Sequence, residues 1–191
     1  MFPPSSPWLQ RALITVGSAL VYGLAFWLND VFTDWILYTQ GVSLVYLPAG
    51  VKLLLLLIAG WPAALGMGLM LWALSLGFWP QVDAAILLGG AVVSVGTTWA
   101  VIHLCLRLLG IGSDLMRLGF FRLVLLDACA SIVHGWLMNG YYALVGERAP
   151  EAIASSAWAM ALGDFTGSGL SLMLLLALLR WSPLRHRLAA R

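Results

Sequence analysis

Lys52, Asp127, His134 and Asp164 are the strongest candidates for chemistry among the ionisable side chains inside the long apolar runs of this 191-residue chain. A charge near the middle of a membrane helix costs about 2.5–3.5 kcal/mol on insertion scales, so such residues turn toward a protein interior and find partners. Asp127, Ser131, His134, Met138 and Tyr141 recur at i, i+4, i+7, i+11 and i+14, which puts them on one helical face. Asn139 on that run and His103 on the one before it are weaker polar candidates. Asp164, Ser168 and Ser171 form a second stripe, flanked by Gly163 and Gly167. Such faces can exchange protons, bind a small solute, or simply hydrogen-bond to one another.

Other chemistry finds no signature. Asp127 and His134 lie two helical turns apart, roughly 10 Å along the axis, too far to share an ion. With no HExxH, no ExxH pair and no CxxC, neither a metal site nor any cofactor is expected. No GxSxG occurs, and the sequence places no serine, histidine and acid at a common depth, so no nucleophilic enzyme is expected either. Cys105 and Cys129 read as small buried hydrophobes.

Lys52 closes the stretch Tyr46-Leu47-Pro48-Ala49-Gly50-Val51-Lys52, and five leucines follow it. Two arrangements are open. The commoner is a continuous helix over 42–60, kinked at Pro48, with the lysine snorkelling or paired. The other is a helix that restarts at Pro48, where proline's missing N–H costs nothing; the N–H groups of Gly50 and Val51 and the Lys52 ammonium would then make an anion-attracting end. Counting from Val42 puts Lys52 within about 3 Å of the depth of Asp164, at about 1.5 Å per residue. Asp127 counts closer to the opposite surface. Lys52 and Asp164 are therefore expected at one site, paired directly or through a bridge, with Pro48 and Gly50 beside them to admit a small polar or anionic ligand.

The elements that must position these groups are membrane helices. Hydrophobic residues make up 62% of the chain and charged residues 9%, against about 25% in soluble domains; the mean hydropathy is +0.95. The fold expected is a single all-α helical bundle over 1–191, with six spans near 12–29, 42–60, 62–80, 84–109, 120–144 and 152–180. Arg11, Arg107, Arg117, Arg122, Arg180, Arg185, Arg187 and Arg191 then share one side and Arg148 alone takes the other, which puts both termini and the 110–119 loop in the cytoplasm. Membrane lipid is the first partner, and no nucleic-acid partner is implied. The N-terminal apolar run is too long for a signal-peptide core, so no cleavage is expected. Asn29 to Gln40 reads as an outer loop with one interfacial turn, and Gly60-Trp61-Pro62 as a tight turn between helices. Gly66, Gly68, Gly89, Gly90 and Gly96 would let helices approach closely, and Ser113 or Asp114 would cap a short inner helix.

Two stretches read together resemble a known family. Tyr46-Leu47-Pro48-Ala49-Gly50-Val51-Lys52 with Gly60-Trp61-Pro62-Ala63-Ala64-Leu65-Gly66, and later Trp158-Ala159-Met160-Ala161-Leu162-Gly163-Asp164-Phe165-Thr166-Gly167, resemble the two landmarks of the MASE1 membrane sensor domains. The resemblance implies a bacterial inner-membrane sensor or regulatory module. Members are typically joined to kinases or cyclic-dinucleotide enzymes and often have about eight spans. No such output segment is read here, so the expectation is a stand-alone, non-enzymatic module that binds a small ligand or partner membrane protein and signals to a separate protein. From another class, a chain of this size with six helices also looks like the substrate-binding component of an energy-coupling-factor transporter. A structural accessory subunit of a membrane complex is the third expectation.

Overall fold

The computed structural model describes residues 6–112 and 115–181. In chain order it has α1 (Pro7–Asp30), α2 (Thr33–Ile36), β1 (Leu37–Thr39), β2 (Val42–Ser43), α3 (Leu47–Ala59), α4 (Trp61–Phe78), α5 (Ala84–Leu108), α6 (Phe120–Leu144), a 3-10 turn at Pro150–Ala152, and α7 (Ile153–Trp181). The helix starts follow local chemistry. Ser6 accepts from the N–H of Leu9 to cap α1, Asp83 accepts from Ala85 to cap α5, and proline opens α1, α3 and α4, where its missing N–H has no helical partner to lose. Five helices, α1, α4, α5, α6 and α7, are long and apolar enough to cross a membrane, and the chain is an all-α, multi-pass membrane bundle.

The expected second span does not form as one helix. Its first part, Val42–Ser43, is a strand paired antiparallel with β1, and α3 begins at Leu47 and runs for 13 residues. At about 1.5 Å per residue that is roughly 20 Å, short of a bilayer core of about 30 Å. Pro48 is the reason: its ring would collide with the carbonyl four residues back, and it has no N–H to give, so the helix cannot extend upstream. The kinked continuous helix is thus corrected to a broken one. The single residue Gly60, with φ of +61°, joins α3 to α4, a backbone conformation that glycine adopts without strain.

Non-helical backbone at membrane depth survives only where protein satisfies its polar groups. Here α1 and α7 do so. Tyr46 N–H donates to the carbonyl of Gly163 (2.9 Å) and Leu47 N–H to Asn29 Oδ1 (2.9 Å), while Thr166 Oγ1 donates to Leu44 O (2.9 Å) and Ser171 Oγ to Leu47 O (2.8 Å). The approach is close because α7 is notched. A Cβ at Gly163 would strike the carbonyl of Ser43, and one at Gly167 would strike the backbone of Tyr46. Gly50 makes the reciprocal notch in α3, against Ser168 and Ser171.

The helices sort the loops into two ends. One, the hairpin end, carries 31–46, 79–83 and 145–152; the other carries Gly60, the 109–119 connection and the start of α1, where Thr15 Oγ1 donates to Pro62 O. Nearer this second end the core is continuous and apolar, built on Leu53, Leu56, Met67, Ile102 and Leu126. The turn expected in the Asn29–Gln40 loop is α2, followed by a strand that the sequence did not announce. Gly66 seats the backbone of Thr15, and Gly89 and Gly90 seat Tyr141 and Met138, whereas Gly68 and Gly96 face open space and bring no helices together. Ser113, Asp114, Arg185, Arg187 and Arg191 lie outside the described residues.

Candidate functional site

Four helices each send one polar side chain to the same point. Lys52 of α3 donates from Nζ to Ser94 Oγ of α5 (3.4 Å); Ser94 Oγ meets His134 Nε2 of α6 (2.9 Å); His134 Nδ1 meets Asp164 Oδ2 of α7 (2.5 Å). All four are buried, with 2–5% of their surface exposed. Ammonium can only donate, so Ser94 Oγ accepts from Lys52; a carboxylate can only accept, so Nδ1 carries a hydrogen and Nε2 of a neutral His134 is left to accept from Ser94. The imidazole proton then sits on Nδ1 and is donated to the Asp164 carboxylate.

Lys52 and Asp164 also border a small void of about 10 Å³, with Asp127, Thr98, Ser131 and Ser168 on its other walls. That is room for about one water molecule, and the walls are polar enough to hold one. One detail differs from the sequence expectation, and a second is left open by it. Asp127 reaches the same void as Lys52 instead of a level nearer the opposite surface, because the expected depth of Lys52 is counted along a helix from Val42, whereas 42–43 is strand and the helix begins at Leu47. The link between Lys52 and Asp164 runs through Ser94 and His134, and Ser94 had no signal beyond Thr98 one turn on, whose hydroxyl donates to Ser94 O. The expectation that no serine, histidine and acid share a depth is therefore corrected.

Above this chain opens a cavity of about 780 Å³, whose floor includes Ser94, His134 and Asp164 and whose rim at the hairpin end includes Gln40, Glu147 and Arg148. Aromatic and apolar groups, among them Phe26, Tyr46, Phe78, Met138, Tyr142 and Met160, make its walls. Lys52, Pro48 and Gly50 do not border it; they lie behind the floor, where Pro48 and Gly50 set the start of α3 against α7. At the rim, Arg148 donates to Gln40 O (2.7 Å) and lays its guanidinium over the Tyr142 ring at 5.6 Å, fastening the hairpin to the end of α6. Partial burial pulls the Arg148 pKa below its ordinary value, and neighbouring Tyr142 opposes that.

The remaining candidates take structural places. Asn139 is fully buried and donates to Gly135 O (2.8 Å). His103 hydrogen-bonds to Trp99 O in its own helix (2.9 Å). Ser131 faces the small void, and Ser171 holds the start of α3. Among the described residues, no three of histidine, cysteine, aspartate and glutamate converge as a metal site would need. No protein-family model, no curated protein and no solved structure matches the chain.

Proposed function

We propose that this chain is a membrane-embedded sensory module that admits a small polar ligand at the hairpin end and passes its occupancy to a separate membrane or signalling protein. The cavity carries this reading: about 780 Å³ lies within the usual range of about 300–1,000 Å³ for ligand pockets, and hydrogen-bonding groups converge under aromatic walls. The two stretches that resemble MASE1 domains support it, since Tyr46 of the first packs on Gly167 of the second and Gly50 packs on Ser168, the residue that follows it. In this reading the hairpin end faces outward from a bacterial inner membrane, because Arg11, Arg107, Arg117, Arg122 and Arg180 belong to the opposite end and Arg148 alone to this one.

The charges also bear on the ligand. Lys52 sits behind the floor, and the cavity borders Asp30, Glu147 and Asp164 against Arg148, so a neutral or cationic polar ligand fits it better than an anion. Native mass spectrometry of protein purified in mild detergent tests the reading. A small molecule released on unfolding, or a thermal shift with a soluble polar probe that Asp164→Asn removes, is the expected result. A chain that carries no small molecule and shows no shift across neutral, cationic and anionic probes overturns it.

The outward-facing Gly68 and Gly96 favour a second reading, a solute-capturing component that offers small-residue surfaces to a transport motor. Co-purification of an ATPase pair would select it over the sensor.

A further inference from the structure

Ser94, His134 and Asp164 meet through the atoms that an acyl-transfer nucleophile requires. The serine hydroxyl addresses Nε2, and Nδ1 addresses the carboxylate, so the imidazole is held in the tautomer that can take the serine proton and be stabilised as imidazolium. Lys52 supports the arrangement from behind: by donating to one lone pair of Ser94 Oγ it holds the oxygen beside His134. A polar cluster that served only to set helix register would need no space over its serine. This one forms part of the floor of an open cavity of about 780 Å³.

We propose that Ser94 is a nucleophile and that the chain cleaves small esters of apolar or aromatic acids that enter the cavity from the hairpin end. Phe26, Leu71, Phe78, Ile86, Met138 and Met160 on the cavity walls suit the acyl portion. Ser94 Oγ bonds to the ester carbonyl carbon while its proton passes to His134 Nε2. The C–O bond to the leaving alcohol then breaks, and the alcohol departs with that proton. Water from the cavity attacks the acyl-serine, gives its proton to His134, and the carboxylic acid leaves as Ser94 recovers its hydrogen. Lys52 is a positioning residue that holds Oγ and favours its anionic character. The inference rests on the ligand-binding reading only in requiring that the cavity admits solutes.

The test uses the full chain in detergent, a fluorophosphonate probe, and mapping of the adduct by peptide mass spectrometry. Expected is one adduct on Ser94 of the folded chain and none after denaturation. Labelling should slow about 10²–10⁴-fold in His134→Ala and vanish in Ser94→Ala. A Ser94→Cys chain that unfolds at the native temperature should lose the fluorophosphonate reaction and gain iodoacetamide alkylation at position 94. p-Nitrophenyl butyrate should give a nitrophenol burst from the native chain. A folded native chain without an adduct, an adduct elsewhere, or native-rate labelling of His134→Ala overturns the proposal. A chain that binds a polar probe in the cavity yet resists the fluorophosphonate loses this activity and keeps the sensory reading.

Discussion

Gly167 lies directly against the backbone of Tyr46, with no room between them for a Cβ. The contact joins the helix that carries Asp164 to the point where the non-helical segment turns into the helix that carries Lys52, so the glycine sets the distance between both polar residues. Substituting Gly167→Ala must push backbone against backbone, which side-chain adjustment cannot relieve. The expected loss is about 1–3 kcal/mol of stability, as for overpacking elsewhere. Gly96→Ala, with open space around it, should change stability by no more than about 0.5 kcal/mol. Thermal unfolding of the two variants in the same detergent is the check, and equal losses would remove the notch from the account.

Lys52 faces two carboxylates across the small void, Asp127 and Asp164. Lys52→Met removes the cation beside both and the donor to Ser94 Oγ, and leaving buried polar groups without a partner costs about 1–3 kcal/mol. Asp164→Leu leaves His134 Nδ1 without its acceptor and Lys52 with Asp127 as its one remaining carboxylate. The double substitution should recover part of the sum, with a coupling of about 0.5–3 kcal/mol in a double-mutant cycle. Strictly additive losses would mean that Ser94 and His134 transmit nothing between the two.

Sidedness is open to direct labelling. Cysteine in place of Glu147 or Asp83, both at the hairpin end, should react with an impermeant maleimide from outside intact cells. Met116, which is 84% exposed at the other end, should after Met116→Cys react only once the membrane is permeabilised. The reverse pattern would turn the cavity toward the cytoplasm.

Ser155 is exposed on the cavity wall near the rim, its hydroxyl donating to Ala152 O (3.2 Å). Ser155→Trp should narrow the opening while costing under about 1 kcal/mol of stability, since little packing is lost. Uptake of a polar probe should fall at least tenfold by equilibrium binding. Undiminished uptake would place the route of entry elsewhere.

Composition and hydropathic runs were enough to read the helices: 84–109 and 120–144 match α5 and α6 almost to the residue, because length and apolarity alone define a span. The polar stripes were legible for a related reason. Asp127, His134, Ser168 and Asp164 repeat at helical spacing, and an uncompensated charge in lipid forces that face inward. What escaped reading depended on contacts far along the chain. The strand at Val42–Ser43 lies within an apolar run, and only the carbonyl of Gly163, more than a hundred residues on, makes its neighbouring Tyr46 acceptable out of a helix. Ser94 escaped because a lone serine in a helix rich in glycine and alanine reads as packing; its partner His134 is on another helix, and no local pattern ties the two together.

The hydrogen bonds that hold the break between β2 and α3 set an order of events during synthesis. Leu44 O waits for Thr166, and Leu47 O for Ser171, separations of 122 and 124 residues. At about 5–20 residues per second, a translating ribosome takes roughly 6–24 seconds to make that stretch. Through that interval the 43–47 backbone has no α7 to bond to, and α3 is too short to hold a place across the bilayer. The first helix can be inserted early, but until the last helix arrives the carbonyls of this segment have water as their other source of hydrogen bonds.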